Sequence, residues 1–221
     1  MKIAVSGASG KTGYRVAEEA LKNGYQVRLI TRENSFIPTT LESCERYNIN
    51  LLNSDSIDIA LKGCEALIIA TGARPSIDLT SPAKVDACGL INQVKSCNRV
   101  GVKRVILISS LCAGKFFHPL NLFGLILIWK KVGERNLQDS NLEWTILRPG
   151  GLNENEDNLN DQNIYYTFEN KQEEGSIPRR ILAKLSLEAL RTEASKNKII
   201  EITSNQETKK LSLKEAIKVL S

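Results

Sequence analysis

The chain has 221 residues, 42% of them hydrophobic, enough to bury the core of one ordinary α/β domain and too little for a second full one. Thirty Lys and Arg against 25 Asp and Glu leave a formal net charge of +5. That charge is dispersed, with no basic stripe interleaved with aromatics, which argues against a nucleic-acid partner.

Lys2 to Tyr14 reads KIAVSGASGKTGY, and no charged segment and apolar core of a secretory signal precede it. The short apolar run Ile3 to Val5 suits a central parallel strand buried on both faces. Gly7, Gly10 and Gly13 then mark a tight exit turn. Gly7 allows the sharp turn, Gly10 lets backbone N–H groups reach a phosphate, and Gly13 lets the following helix pack closely on the strand. The helix from Lys11 to Asn23-Gly24 aims unpaired N–H groups and about half an elementary positive charge at that turn, so a pyrophosphate is the natural guest.

Gln26 to Thr31 is the second expected strand, with Arg32 just past its end. In a dinucleotide fold this position faces the adenosine ribose, and an arginine there offers its planar fork to a 2′-phosphate, with Arg28 as a helper. The other reading of Arg32 is a solvated strand-end arginine. Tyr47 to Leu52 is the expected third strand, and Asn53 and Asp55 cap a short helix ending at Lys62-Gly63. Glu65 to Ala70 is a buried strand that runs into Thr71-Gly72-Ala73, where small residues either admit a cofactor sugar or simply end the strand.

Lys84 to Val100 predicts a long amphipathic helix stopped by Gly101. Arg104 to Ile108 is the fifth strand and delivers Ser109 and Ser110 to its C-terminal edge, where ligands bind in open parallel sheets. The apolar stretch Phe116 to Trp129 is shorter than the roughly 20 residues a spanning helix needs, leaving a pocket lid or a surface for a membrane or protein partner. Asn121 to Ser140 holds a second long helix, and Leu142 to Leu147 is a sixth strand that leaves through a rigid turn, Arg148 to Gly151. Asn153 to Asn163 reads as a mobile acidic loop. Ile164 to Phe168 and Lys198 to Ile202 are further strands, with helices at Arg180 to Thr192 and Leu211 to Leu220.

This alternation predicts an α/β, Rossmann-like doubly wound parallel sheet with helices on both faces and a small C-terminal appendage. Residues 1–221 are expected to form a single domain, with 1–151 as cofactor-binding core and 152–221 on the substrate or partner side. Cys44, Cys64, Cys88, Cys97 and Cys112 show no CxxC spacing and His118 is the only histidine, so no metal site is expected. Reduced thiols point to a cytoplasmic, cytosol-like compartment.

Four segments carry a family resemblance: GASGKTG at Gly7 to Gly13, GVKRVILISS at Gly101 to Ser110, ILIWKKVGERNLQDSNLEWTILRPGGL at Ile126 to Leu152, and SIPR at Ser176 to Arg179. Together they resemble the atypical short-chain dehydrogenase/reductase proteins, specifically the small NAD(P)H-binding branch allied to the NmrA-like proteins, with cyanobacterial and chloroplast members nearest. The plastid stroma is therefore a second candidate compartment. The resemblance implies NADP(H) as cofactor, its pyrophosphate on Gly7, Ser9, Gly10, Lys11, Thr12 and Gly13, and its 2′-phosphate on Arg32. It puts Asn50 and Leu51 beside adenine, Thr71 and Gly72 beside ribose, and Ser109 and Ser110 on the nicotinamide side. Lys130 would hold the nicotinamide ribose, and Pro149, Gly150 and Gly151 the nicotinamide amide.

One departure bears on the chemistry. Where typical members of the superfamily have a proton-transferring tyrosine four residues before the lysine, this chain has Ile126, which has nothing to ionise. Two functions are then expected. One is an oxidoreductase passing hydride to a flavin, quinone or tetrapyrrole-like acceptor, with Ser109, Ser110 and Lys130 as the catalytic candidates and Phe116, Phe117 and Trp129 stacking on the acceptor. The other is a non-catalytic NADP(H)-sensing regulator or assembly factor.

Overall fold

A computed structural model describes residues 1–73 and 78–220 of the chain. In chain order they form β1 (Lys2–Ser6), α1 (Gly13–Lys22), β2 (Gln26–Thr31), β3 (Glu45–Asn48), α2 (Ser54–Leu61) and β4 (Ala66–Ile69). A π-helical segment, Ala83–Gly89, runs into α3 (Leu90–Val100), followed by β5 (Arg104–Ile108), α4 (Ile126–Gln138), β6 (Glu143–Pro149) and β7 (Gly151–Asn153). Then come β8 (Ile164–Phe168), β9 (Ser176–Pro178), α5 (Arg179–Arg191), β10 (Lys198–Ser204) and α6 (Leu213–Leu220).

The eight-stranded sheet has the order β3-β2-β1-β4-β5-β6-β10-β8. All its pairings are parallel except β10 with β8, which is antiparallel. Side-chain alternation assigns the two faces. Ile3 and Val5 pack with Val16, Ala17 and Ala20 of α1, Leu182 of α5 and Ile217 of α6. Ala4, one residue out of phase, packs with Ile57 and Leu61 of α2, Val94 of α3 and Leu137 of α4. Fully buried aliphatics such as Ile68 contribute about 1.5–3 kcal/mol each relative to exposure. The chain reverses its winding between β1 and β4, so two loops part there and leave a crevice at the C-terminal ends of the strands.

Several boundaries differ from the sequence reading. The third strand is Glu45–Asn48 rather than 47–52, because Arg46 donates to Thr31 Oγ1 (2.9 Å) and Asn48 Oδ1 (2.8 Å) and fixes the edge there. The helix expected from Lys84 begins as the wider π-helix. The helix expected from Asn121 begins at Ile126: Asn121 instead ties down the preceding loop, donating to Lys115 O and Phe116 O and accepting from Leu127 N at 2.9 Å. Arg148 and Pro149 lie within β6, and Gly151–Asn153 pairs with Ser176–Pro178 as a two-stranded sheet, so the expected rigid turn is narrower. The acidic loop is anchored: Glu154 pairs with Lys11, and Glu156 bridges Arg15 (2.5 Å) and Arg180 (3.2 Å). No helix of the described residues is long and apolar enough to cross a membrane.

Candidate functional site

The glycine-rich turn sits on the crevice, and its backbone explains its sequence. Gly7 has φ +78°, and a Cβ there would lie 2.9 Å from Ala70 O and Thr71 N, where the ends of β1 and β4 meet. A Cβ on Gly13 would overlap the Gly7 carbonyl, so α1 can start this close only with glycine. Gly10 N–H donates to Gly7 O at 2.8 Å, closing the turn. The loop thus presents a bare backbone to the first turn of α1, a cradle that fits a pyrophosphate. Ser9 is half-buried, Thr12 is buried and Lys11 is exposed. Arg179, at the first position of α5, donates to Thr12 Oγ1 at 3.5 Å, which brings a second cation to the loop from 167 residues away.

Arg32 is exposed just beyond β2, and no side-chain hydrogen bond is found for it among the described residues. Arg28 is not its helper. The Arg28 guanidinium is buried, paired with both Glu45 oxygens at 3.0 Å and donating to Ala60 O and Lys62 O at 2.8 Å. Asn50 and Leu51 fall in the turn after β3, where Asn50 Oδ1 accepts Leu52 N at 2.9 Å and Leu51 O accepts Asn92 Nδ2 at 3.0 Å. The Asn50 side-chain oxygen is thereby engaged in shaping its own turn.

At the other end of the crevice, Lys130 Nζ lies 2.7 Å from Asp86 Oδ1, with side chains only 14% and 2% exposed. Asp86 Oδ2 accepts Ala73 N at 3.1 Å. A cavity of about 10 Å³ gathers Thr71, Asp86, Ser109 and Lys130 into one locus. Asp86 was not anticipated from the sequence. The available signal was a carboxylate on the apolar stripe that Leu90 and Val94 continue.

Ser109 and Ser110 differ. Ser109 is buried and its hydroxyl donates to Glu134 Oε1 at 2.6 Å. Glu134, itself fully buried, takes a two-pronged contact from Arg148 (3.0 and 2.7 Å), which also donates to Glu169 Oε1 at 2.9 Å. Burial opposes ionisation of Glu169, yet Lys131 and Arg148 hold its carboxyl below the ordinary range. This network takes the Ser109 proton, while its oxygen still lines the void beside Lys130, and Ser110 next to it is half-buried. The network also braces the end of β6. There Pro149 O accepts Leu111 N at 3.0 Å, Gly150 N donates to Ile202 O at 3.0 Å, and Gly151 N donates to Gly175 O at 2.9 Å. A Cβ on Gly150 would lie 2.5 Å from Gly175 O.

Beyond β5, a cleft of about 470 Å³ is lined by Cys112, Lys115, Phe116, Phe117, His118, Glu173 and Glu174. Phe116 and Phe117 meet edge to face, centroids 5.3 Å apart. Phe117 is 97% exposed, whereas Trp129 is half-buried. Ile126 is buried. No group of His, Cys, Asp and Glu suited to holding a metal ion occurs among the described residues.

A strand order of 3-2-1-4-5-6 with a glycine turn at the reversal point defines the class of Rossmann-like nucleotide-binding proteins. The profile of the NAD(P)H-binding family matches residues 7–193, and the chain belongs to that family as an atypical short-chain dehydrogenase/reductase-like protein. It is 34% identical to the chloroplastic protein At2g34460 of Arabidopsis thaliana, over 97% of this chain and 80% of that one. It is 27% identical to sanguinarine reductase of Eschscholzia californica, over 94% of this chain and 90% of that one. Among solved structures, the oxidoreductase ylbE of Lactococcus lactis superposes with a TM-score of 0.82 at 24% identity, over all of this chain and 96% of its own. A short-chain dehydrogenase/reductase of Veillonella parvula in complex with NADP gives 0.73 at 16% identity, over 91% of this chain and 94% of that one.

Proposed function

We propose that this chain is an NADP(H)-dependent oxidoreductase that passes hydride to a planar, conjugated acceptor of the flavin, quinone or tetrapyrrole type without a catalytic tyrosine. The observation that carries it is the bare glycine cradle at the sheet's reversal point combined with a buried isoleucine at the proton donor's position. NADPH, when bound, supplies the hydride. The chain's residues hold and align: the Gly7 to Gly13 loop takes the pyrophosphate, Arg32 the 2′-phosphate, Asn50 and Leu51 the adenine edge, and Thr71, Gly72 and Lys130 the riboses. Pro149 to Gly151 take the amide, and Ser110, with the aromatic rim of Phe116 and Phe117, orients the acceptor. A conjugated acceptor draws its proton from water, so the missing tyrosine costs it little.

The NADP complex of the Veillonella protein and the reductase name of the Eschscholzia relative support this reading. Residues 1–221 are read as one domain, the cofactor core being 1–151 and the acceptor side 152–221, in the NmrA-like branch. The chloroplastic relatives and five free cysteines support a reducing compartment, cytoplasm or plastid stroma. The exposed Phe117 and Leu122 leave room for a peripheral membrane or protein partner.

The buried Ile126 equally favours a second reading, a regulator that binds NADP(H) without turnover. Anaerobic stopped-flow oxidation of NADPH separates the two. We expect turnover with at least one flavin, quinone or tetrapyrrole and negligible turnover with simple aldehydes and ketones. NADPH that binds but is oxidised by no acceptor would support the regulator. Brisk reduction of simple ketones would overturn the tyrosine-free route.

A further inference from the structure

Arg32 stands on a turn that a second arginine ties at both ends. Ser35 N–H donates to Arg32 O at 3.3 Å and closes the turn, with Asn34 inside it at the left-handed φ of +55° that asparagine tolerates. Arg46 of β3 grips this turn from outside. Its Nε donates to Thr31 Oγ1 at 2.9 Å, immediately before Arg32, and its Nη2 donates to Ser35 O at 2.6 Å on the far side. Asn48 completes the clamp, its Oδ1 accepting from Thr31 Oγ1 at 2.6 Å and from Arg46 Nε at 2.8 Å. The register Leu29 to Arg46 and Thr31 to Asn48 puts these side chains on one face of the sheet, the face on which Leu29 packs with α1 behind the glycine cradle.

The clamp is a cation without a counter-charge. Arg28 in the neighbouring strand is neutralised by Glu45, whereas no carboxylate pairs with half-buried Arg46 among the described residues; its acceptors are a hydroxyl, a side-chain amide and a backbone carbonyl. Two guanidinium charges gathered at one short turn repel each other, and a phosphate bound there relieves the repulsion. We propose that Arg46 is a positioning residue for NADP specificity, acting through Arg32: it fixes the turn so that the Arg32 fork is already in place for a 2′-phosphate. The inference rests on the NADP(H) reading and adds to it a residue that the sequence reading does not single out. A turn left loose has to order Arg32 during binding, which costs affinity for the phosphate. NADH, with a hydroxyl in place of the phosphate, is indifferent to where that fork stands.

The test is a double-mutant cycle read on two ligands, with NADPH and NADH titrated by cofactor fluorescence into the wild type, Arg32→Ala, Arg46→Ala and the double variant. Arg46→Ala should bind NADPH about ten-fold more weakly, the range for a weakened charge-assisted contact, and NADH within about two-fold of the wild type. In the Arg32→Ala background the same change should cost almost no NADPH affinity. Equal weakening for both ligands would mean that Arg46 only supports the sheet edge, and a loss as large without Arg32 as with it would mean that Arg46 acts alone; either overturns the inference, as does unchanged NADPH affinity. A wild type with no preference for NADPH would overturn the NADP(H) reading and this inference with it, a failure visible before any variant is made. If Arg46→Ala does not fold, Arg46→Lys carries the test, because an ammonium keeps the charge but cannot span Thr31 and Ser35 as the planar fork does. That variant should also lose preference for NADPH, and a wild-type preference in it contradicts the inference.

Discussion

Gly13 is where one hydrogen atom decides the architecture. Its Cα approaches the Gly7 carbonyl so closely that a methyl group has nowhere to go, and the obstacle is backbone rather than a side chain that can swing aside. Gly13→Ala should therefore destabilise the fold by about 1–3 kcal/mol, the cost of overpacking a rigid site, and weaken nucleotide binding as the loop opens. Urea midpoints compared with the wild type check this, and unchanged stability would mean that the loop has slack the geometry denies. The three glycines were legible in the sequence because each reason is local: a positive φ at Gly7, a tight turn at Gly10, a close approach at Gly13. Asp86 was not, because its partner lies 44 residues away, beyond any short window. Arg28 misled for the same reason. A strand arginine near Arg32 reads as a phosphate ligand until Glu45 and two carbonyls are seen to claim it.

Elements with their own periodicity were read well, and those shaped by neighbours were not. Gln26–Thr31, Arg104–Ile108 and Ile164–Phe168 coincide with the expected strands, since each is a continuous β-rich run. The late start of α4 and the three-residue strands Gly151–Asn153 and Ser176–Pro178 depend on tertiary hydrogen bonds instead. The β2–β3 edge is one such tertiary construction, and it carries a pH signature. Hydrogen bonds from Lys2 and Arg28 hold the Glu45 carboxyl down to about 2, below its ordinary 4.5. Because the native pKa is the lower one, the stabilisation is complete above about pH 4.5 and is lost as pH falls towards 2. Glu45→Gln should be less stable than the wild type near neutrality, with the gap closing across that acidic window. A gap that stays constant with pH would show that the carboxylate's charge is not what holds the edge.

Across the whole molecule, one topological event places everything else. The sheet reverses between β1 and β4, and the glycine cradle, Arg32 beyond β2, the Asp86–Lys130 pair and the braced end of β6 all face the crevice side of that reversal or its flanks. β8 and β10 lengthen the sheet past β6, and Glu201 of β10 accepts Asn170, Lys171 and Gln172 N–H at 2.8 Å each, fixing the turn that leads to Glu173 and Glu174 at the cleft beyond β5. The acidic segment after β7 closes on the cradle from outside through the Glu154 and Glu156 ion pairs. Under the proposed function, an adenine dinucleotide phosphate stretches across this crevice. A crystal structure of the chain with NADPH tests it most directly. The pyrophosphate should lie against the N–H groups of the Gly7 to Gly13 loop, with the 2′-phosphate within hydrogen-bond reach of Arg32. A dinucleotide bound elsewhere, or a crevice that saturating NADPH leaves empty, would contradict it.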